Sequence, residues 1–286
     1  AVSIGQLMPY FKGKLLGAIH PFQVEQYKKA RRDGGASPAT VNRDVACLRN
    51  MLNMAVEWKY LQVNPIARIK RLMLREDNEV MWVLSPEEEE RLLDECEKRP
   101  QRKGGKCLRD LVEFALYSGM RQGEIFGLKW VNVHVEESYL LATDTKTHEN
   151  RPVPINGTTK EILQRRREDQ KEYVFTNSKG GRLTVLTNAF WRAVKEAGLS
   201  RVEVKDGKTV KVRFRFHDLR HSFGSRIGMN GTDLKSIMEI MGHRVAKTAM
   251  RYQHPSPSHK LEAVNRLDEI RKIITPKVTP QKIIPL

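Results

Sequence analysis

Phe216 to His254 reads FHDLRHSFGSRIGMNGTDLKSIMEIMGHRVAKTAMRYQH. Its spacing predicts a helix over 217–229 that Gly231 breaks. Thr232 is placed to cap the next helix, whose apolar face is Leu234, Ile237, Met238 and Met241, and Gly242 ends that helix. The Met-rich face reads as core. Residues three and four apart share a helix face, so His217, Arg220 and His221 lie together. Two histidines four apart also suit zinc, but no third ligand is evident and the adjacent Arg would repel a metal. Directly after Gly242 comes His243, and nine residues later Tyr252. Taken singly, a polar helix face, a capping His and a half-buried Tyr account for these residues equally well.

Moving upstream, Val202, Val204, Asp206–Gly207, Val210, Val212 and Phe214 form a clear hairpin signal over 202–214. Tyr139 to Thr145 and Arg151 to Ile155 read as a second hairpin, with Lys146 near its turn. Residues 108–118 predict a buried helix ended by Gly119. The next helix begins at Gly119-Met120-Arg121-Gln122-Gly123-Glu124. Free backbone N–H groups and the Arg121 guanidinium would meet there, which suits a phosphate, and Glu124 one turn on could orient Arg121. Alone, this too reads as a surface Arg–Glu pair. Ser85-Pro86-Glu87-Glu88 is a capping box that opens this domain.

Residues 1–75 predict an all-helical module. Ile4, Leu7, Met8, Phe11 and Leu15 recur at helical spacing. A short helix runs from Pro21 to the Gly34–Gly35 pair. Ser37 and Pro38 open a helix with the stripe Val41, Val45, Leu48, Leu52 and Ala55, ended by Asn64–Pro65. This module holds 13 Lys/Arg against 4 Asp/Glu, a net of +9, so it would repel itself without an anionic partner. Residues 76–100 invert the balance, with 10 acidic and 3 basic residues, and the linker is placed at 76–83. Downstream, Leu261, Val264, Leu267, Ile270 and Ile274 line one side of a helix over 258–274. That face suits packing on its own domain or on a neighbouring subunit. The tail 276–286, with three prolines, reads as mobile.

The whole chain of 286 residues carries a net charge of +17, which implies a polyanion, usually nucleic acid. No apolar run approaches the roughly 18 residues of a spanning helix, and no secretory signal is visible. Cys47, Cys96 and Cys107 lack metal-ligand spacing and read as thiols in a reducing cytosol. The chain opens at Ala1 without an initiator Met, leaving room for residues ahead of it.

Together the polar positions are far more specific than singly. ALYSGMRQGEIFGLKW, TDTKTHENRPVPI, FHDLRHSFGS and MGHRVAKTAMRYQH place Arg121, Lys146, His217, Arg220, His243 and Tyr252 in one order. In these stretches the chain resembles the tyrosine recombinases, the phage integrase family. The resemblance covers roughly 84–275 and extends more loosely to 1–75. It implies a mainly α fold with small β-hairpins (α+β): an all-helical, SAM-like core-DNA-binding domain at 1–75, and a catalytic domain at 84–275. The hairpin at 202–214 looks longer than in many relatives, and no stretch resembles the separate N-terminal arm-binding domain that many phage integrases carry.

The same resemblance implies site-specific cutting and rejoining of double-stranded DNA through a 3′-phosphotyrosine on Tyr252, within a synaptic tetramer and without cofactor, metal or ATP. The setting it implies is a bacterial or phage-encoded protein of the cytoplasm and nucleoid. Arg121 and Arg220 would bind the non-bridging phosphate oxygens, with Glu124 in support. His243 would add a hydrogen bond, His217 is the family's candidate base, and Lys146 is the candidate acid for the leaving 5′-oxygen. Type IB topoisomerase-like relaxation uses the same residues without partner exchange. A non-catalytic DNA-binding regulator on this scaffold would have no need of Tyr252.

Overall fold

The computed structural model describes residues 2–68, 73–74, 81–98, 108–143, 150–167, 171–177, 179–186, 188–205, 208–253, 261, 264–265 and 267. Cys107, Lys146, the Asp206–Gly207 turn, residues 76–80 of the linker, most of 258–274 and the tail lie outside these. The chain divides into two compact units, Ala1–Val80 and Met81–Leu286.

In the first unit, helices α1 (Val2–Phe11), α2 (Pro21–Asp33) and α3 (Pro38–Glu57) surround a core that includes Leu7, Val24, Tyr27, Val41, Val45 and Leu52. Ser37 caps α3 by accepting from the Thr40 N–H, with Pro38 in the first turn. Two expectations fail here. α3 ends at Glu57 rather than at Asn64–Pro65, because Lys59 takes a positive φ of 62° that a continuing helix cannot contain, and residues 58–68 form no helix. Of the α1 stripe, Leu7 alone is buried, while Leu15 lies beyond the helix and is 81% exposed. A helical period does not say how many of its positions meet a partner.

The second unit is mainly helical with two small antiparallel sheets. α4 (Pro86–Glu97) opens on the expected capping box, in which Ser85 and Glu88 satisfy each other's N–H groups. α5 (Leu108–Ser118) stops at Gly119, whose φ is +61°. α6 (Gln122–Phe126) leads to a three-stranded sheet of β1 (Val133–His134), β2 (Tyr139–Ala142) and β3 (Arg151–Pro154) in that order. Leu140 pairs with both Val133 and Val153, so the expected hairpin is present and the two-residue β1 extends it. α7 (Gly157–Arg167) and α8 (Asn188–Glu196) follow, then the second hairpin of β4 (Ser200–Lys205) and β5 (Lys208–Arg213).

Further along the chain come α9 (Phe216–Met229), α10 (Leu234–Met241) and α11 (Ala246–Met250). Asp233, not Thr232, caps α10, its carboxylate accepting from the Ser236 N–H at 3.0 Å. A carboxylate at a helix N-terminus also gains from the macrodipole, which a hydroxyl does not. α5, α7, α8 and α9 contribute to the main core, which includes Phe114, Phe190, Phe214 and Leu219. A smaller cluster of Ile237, Met241, Ala249 and Tyr252 lies beside α9. Among the described residues, no helix is long and apolar enough to cross a membrane.

The first unit is held by a buried polar contact as well as by apolar packing. The Tyr27 hydroxyl donates to Asp44 at 2.8 Å, and Arg31 meets the same carboxylate at 3.3 Å. Burial, and then this carboxylate, push the Tyr27 phenol above its ordinary range. Asp44→Ala leaves a buried hydroxyl without an acceptor and is expected to destabilise the protein by about 2–3 kcal/mol, read from the shift of its urea midpoint.

Candidate DNA cleavage site

The site is built on the end of α10. A helix leaves its last carbonyls without intrahelical partners, and here three consecutive ones are taken by three arginines from elsewhere in the unit. The Ile240 carbonyl accepts from Arg151 Nε at 3.0 Å, the Met241 carbonyl from Arg220 Nη2, and the Gly242 carbonyl from Arg121 Nη2 at 2.5 Å. Gly242 adopts the left-handed conformation, φ +65°, that closes α10. A Cβ there would lie 2.9 Å from Arg151 Nε and 3.1 Å from Arg121 Nη1. Glycine is therefore required twice, for the turn and for the approach of the guanidiniums.

Arg121 sits at the N-cap of α6, as its spacing from Gly119 suggested. The local N–H is not free, however. It donates to Glu124 Oε2 at 2.9 Å, while Arg121 Nη1 meets Oε1 at 2.9 Å, so Glu124 holds both ends of the residue. Glu124 is also gripped in a fork by Arg151, with both N···O distances 2.8 Å. Burial alone would raise the Glu124 carboxyl, but Arg151 and then Arg121 hold it below its ordinary value. Arg151, within ENRPVPI, is not marked by its sequence context. A charged residue at the first position of a strand beside two prolines carries no pattern that marks it as a site residue.

Arg220 projects from α9 and is 3% exposed. Its Nη1 donates to the Gly119 carbonyl at 2.6 Å, and its Nη2 also meets His243 Nε2 at 3.1 Å. Burial, with Arg121 next, pulls this guanidinium down to about 9, still charged at neutral pH. Gly119 permits the approach of the two segments, since a Cβ there would collide with the Phe223 ring of α9. An arginine only donates, so Nε2 of His243 must accept, and a neutral ring then carries its proton on Nδ1. Burial, followed by Arg220, Arg121 and Arg151, lowers His243 to about 4, which keeps the ring neutral. Its Nδ1 is buried and has no hydrogen-bond partner among the described residues.

Tyr252 follows α11 and is 1% exposed. Its ring lies nearly parallel to that of His243, with planes 8° apart and centroids 5.8 Å apart. Its hydroxyl meets His221 Nδ1 at 2.8 Å. Burial raises the Tyr252 phenol, against the opposing pull of Arg220, Arg251 and Arg121. His217 stands edge-on to His221, centroids 4.7 Å apart, and burial followed by Arg220 lowers it. Arg121, Glu124, Arg220, His243 and Tyr252 thus converge, and His217 adjoins them through His221. His217 and His221 are not joined by a third metal-binding side chain among the described residues.

A model of the phage integrase family matches residues 82–259. The integrase of Salmonella phage P22 is 27% identical over 262 residues, covering 86% of this chain and 62% of that protein. This chain therefore spans less than two thirds of the length of that curated relative. Among solved structures, the Tn1549 transposon integrase in complex with a circular intermediate DNA superposes with a TM-score of 0.73 at 19% identity, over 93% of this chain and 92% of that one. A lambda integrase tetramer bound to a Holliday junction gives 0.67 at 19% identity, over 88% of this chain and 70% of that one. At this identity the two structures speak for the fold.

The Glu124 carboxyl sets a pH dependence. A carboxyl held low in the folded state contributes stability above its unfolded pKa, about 4.3, and loses that contribution as pH falls through its lower folded value. Glu124→Gln should therefore destabilise the protein at pH 7, by about 2–4 kcal/mol for a buried partner of two arginines. The difference from the unsubstituted protein should shrink as pH drops below about 4. Thermal melts of both proteins across this range check it.

Proposed function

The chain belongs to the phage integrase family, and on that premise we propose that it performs site-specific DNA recombination, cutting and rejoining strands through a covalent bond between Tyr252 and a 3′-phosphate. The observation that carries this reading is the contact of Arg220 with His243 and of the His243 ring with Tyr252. A nucleophile, a cation and an unpaired donor occupy one small buried volume beside Arg121.

A phosphodiester is anionic and resists nucleophiles, so catalysis rests on positioning and charge stabilisation. Arg121 and Arg220 retain guanidinium protons beyond those given to carbonyls, and these are offered to the non-bridging oxygens. The Nδ1–H of His243 is a further donor for the same charge, which grows in the transition state. As Tyr252 Oη bonds to phosphorus, its proton passes to a base, the role that the family resemblance gives to His217, and the bond from phosphorus to the 5′-oxygen breaks. Lys146, in the segment between β2 and β3, is the proposed acid for that oxygen; the assignment rests on the family resemblance. The phosphotyrosine retains the ester's energy, so another 5′-hydroxyl can reverse the step on a new partner.

Double-stranded DNA is the partner that the net charge of +17 and the excess of +9 over residues 1–75 favour. The Tn1549 and lambda relatives were captured on DNA, the lambda protein as a tetramer. Self-association is further supported by Leu261, Val264 and Leu267, which are helical and more than 60% exposed, an apolar row suited to a neighbouring subunit.

Incubation with a nicked suicide duplex, followed by denaturing electrophoresis, tests the reading. The unsubstituted protein should form a covalent adduct, and Tyr252→Phe should bind DNA with unchanged affinity but form none. An adduct persisting in Tyr252→Phe would assign the nucleophile elsewhere. On a duplex whose bridging 5′-oxygen is sulfur, Lys146→Ala should recover most of its lost rate, because a thiolate leaves without an acid.

A further inference from the structure

We propose that His221 is a further residue of this reaction, the hydrogen-bond acceptor that fixes the direction of the Tyr252 hydroxyl before attack. The proposal rests on the recombinase reading above. The family resemblance assigned His221 no role; the placement of Tyr252 gives it one.

One face of α9 receives both the main chain and the ring of Tyr252. Positions 217, 220, 221, 224 and 228 recur along that face at helical spacing. Gly228 receives the Tyr252 main chain so closely that a Cβ would collide with its carbonyl. Gly224 receives the ring, where a Cβ would stand 2.9 Å from Tyr252 Cδ1 and 2.9 Å from the Met241 side chain. Stacking on His243 closes the other side. With main chain and ring held, the remaining freedom is the rotation of the O–H bond, and His221 Nδ1 at 2.8 Å removes it.

The direction of this hydrogen bond follows from satisfaction. Among the described residues, His221 is the hydrogen-bond partner of Tyr252 Oη. Were Nδ1 the donor, the hydroxyl proton would be buried without an acceptor, an arrangement that costs more than the bond returns. The hydroxyl therefore donates, and His221 carries its proton on Nε2. The ring stays neutral at physiological pH. Burial, then His217, Arg251 and Arg215, disfavour its charged form, and Asp218 opposes them. With the proton turned toward α9, the lone pairs of Oη face away from His221. A lone pair, not the proton, must be presented to phosphorus. Without His221 the hydroxyl can turn and donate to the phosphate it should attack.

The test compares the unsubstituted protein, His221→Ala and His221→Asn on the nicked suicide duplex, measuring DNA affinity and the rate of adduct formation separately. The Oδ1 of Asn can occupy the place of Nδ1 and accept the same bond. His221→Ala should form adduct about tenfold more slowly or worse, as expected for one lost orienting hydrogen bond, with affinity unchanged. His221→Asn should recover most of the rate. The Ala defect should persist on the sulfur-bridged duplex, because it lies on the nucleophile side. Equal rates for His221→Ala and the unsubstituted protein, or His221→Asn as slow as His221→Ala, overturn the proposal. A second measurement needs no DNA. Nitrogen NMR of the imidazoles should find Nδ1 of His221 unprotonated and shifted by Tyr252→Phe, and a protonated Nδ1 or an unmoved signal also overturns it. Absence of adduct in the unsubstituted protein would instead defeat the recombinase reading and leave the NMR result to decide the hydrogen bond.

Discussion

The end of α10 holds the site together. Three guanidiniums drawn from β3, α9 and the turn before α6 would repel one another if left to themselves. Three successive backbone carbonyls, at the negative end of a helix, give each of them an acceptor. These bonds tie residues 21, 89 and 121 positions away in sequence to a single turn. They also place His243, the next residue, against Arg220. The geometry rests on main-chain atoms, so it tolerates side-chain change in α10 far better than any change at Gly242.

Charge in this cluster is left unbalanced. Among the described residues, Glu124 is the carboxylate that pairs with Arg121 and Arg151, and the hydrogen-bond partners of Arg220 are neutral. Carbonyl dipoles make such a cluster tolerable without neutralising it. On the proposed reading, an entering phosphate would supply the missing negative charge, and burial would strengthen the Coulomb attraction. Burial, then His217, depresses His221, and burial, then Arg220, Arg121 and Arg151, depresses His243, so the two rings serve as neutral hydrogen-bonding groups rather than as additional cations.

Much of the fold was legible because its punctuation is chemical. Gly119, Gly231 and Gly242 stop helices at positive φ, and Ser37 and Ser85 start them by capping. The errors came where a pattern lacked such a mark. Nothing local to Glu57 announces the end of α3, and a two-residue strand such as β1 is too short to show alternation. At the site, residue types in a fixed order pointed to Arg121, Glu124, Arg220, His243 and Tyr252. Arg151 carries no mark in the sequence, and the sequence places His221 on the face of His217 and Arg220 without showing its contact with Tyr252, because the significance of both lies in what they touch across the fold. Gly224 and Gly228 were unread for a similar reason: a glycine pair on a helix states that something approaches, but not what.

His243 gives this arrangement a thermodynamic direction. Its buried Nδ1–H is a donor with no acceptor among the described residues, and such a group typically withholds about 1–3 kcal/mol from the folded state. A ligand oxygen that reaches it would recover that deficit in addition to forming an ordinary hydrogen bond. On the proposed reading, the shortfall is held at the atom where a phosphate would relieve it. An apolar ring of similar shape at 243 would remove the deficit from the free protein and the donor from the bound one.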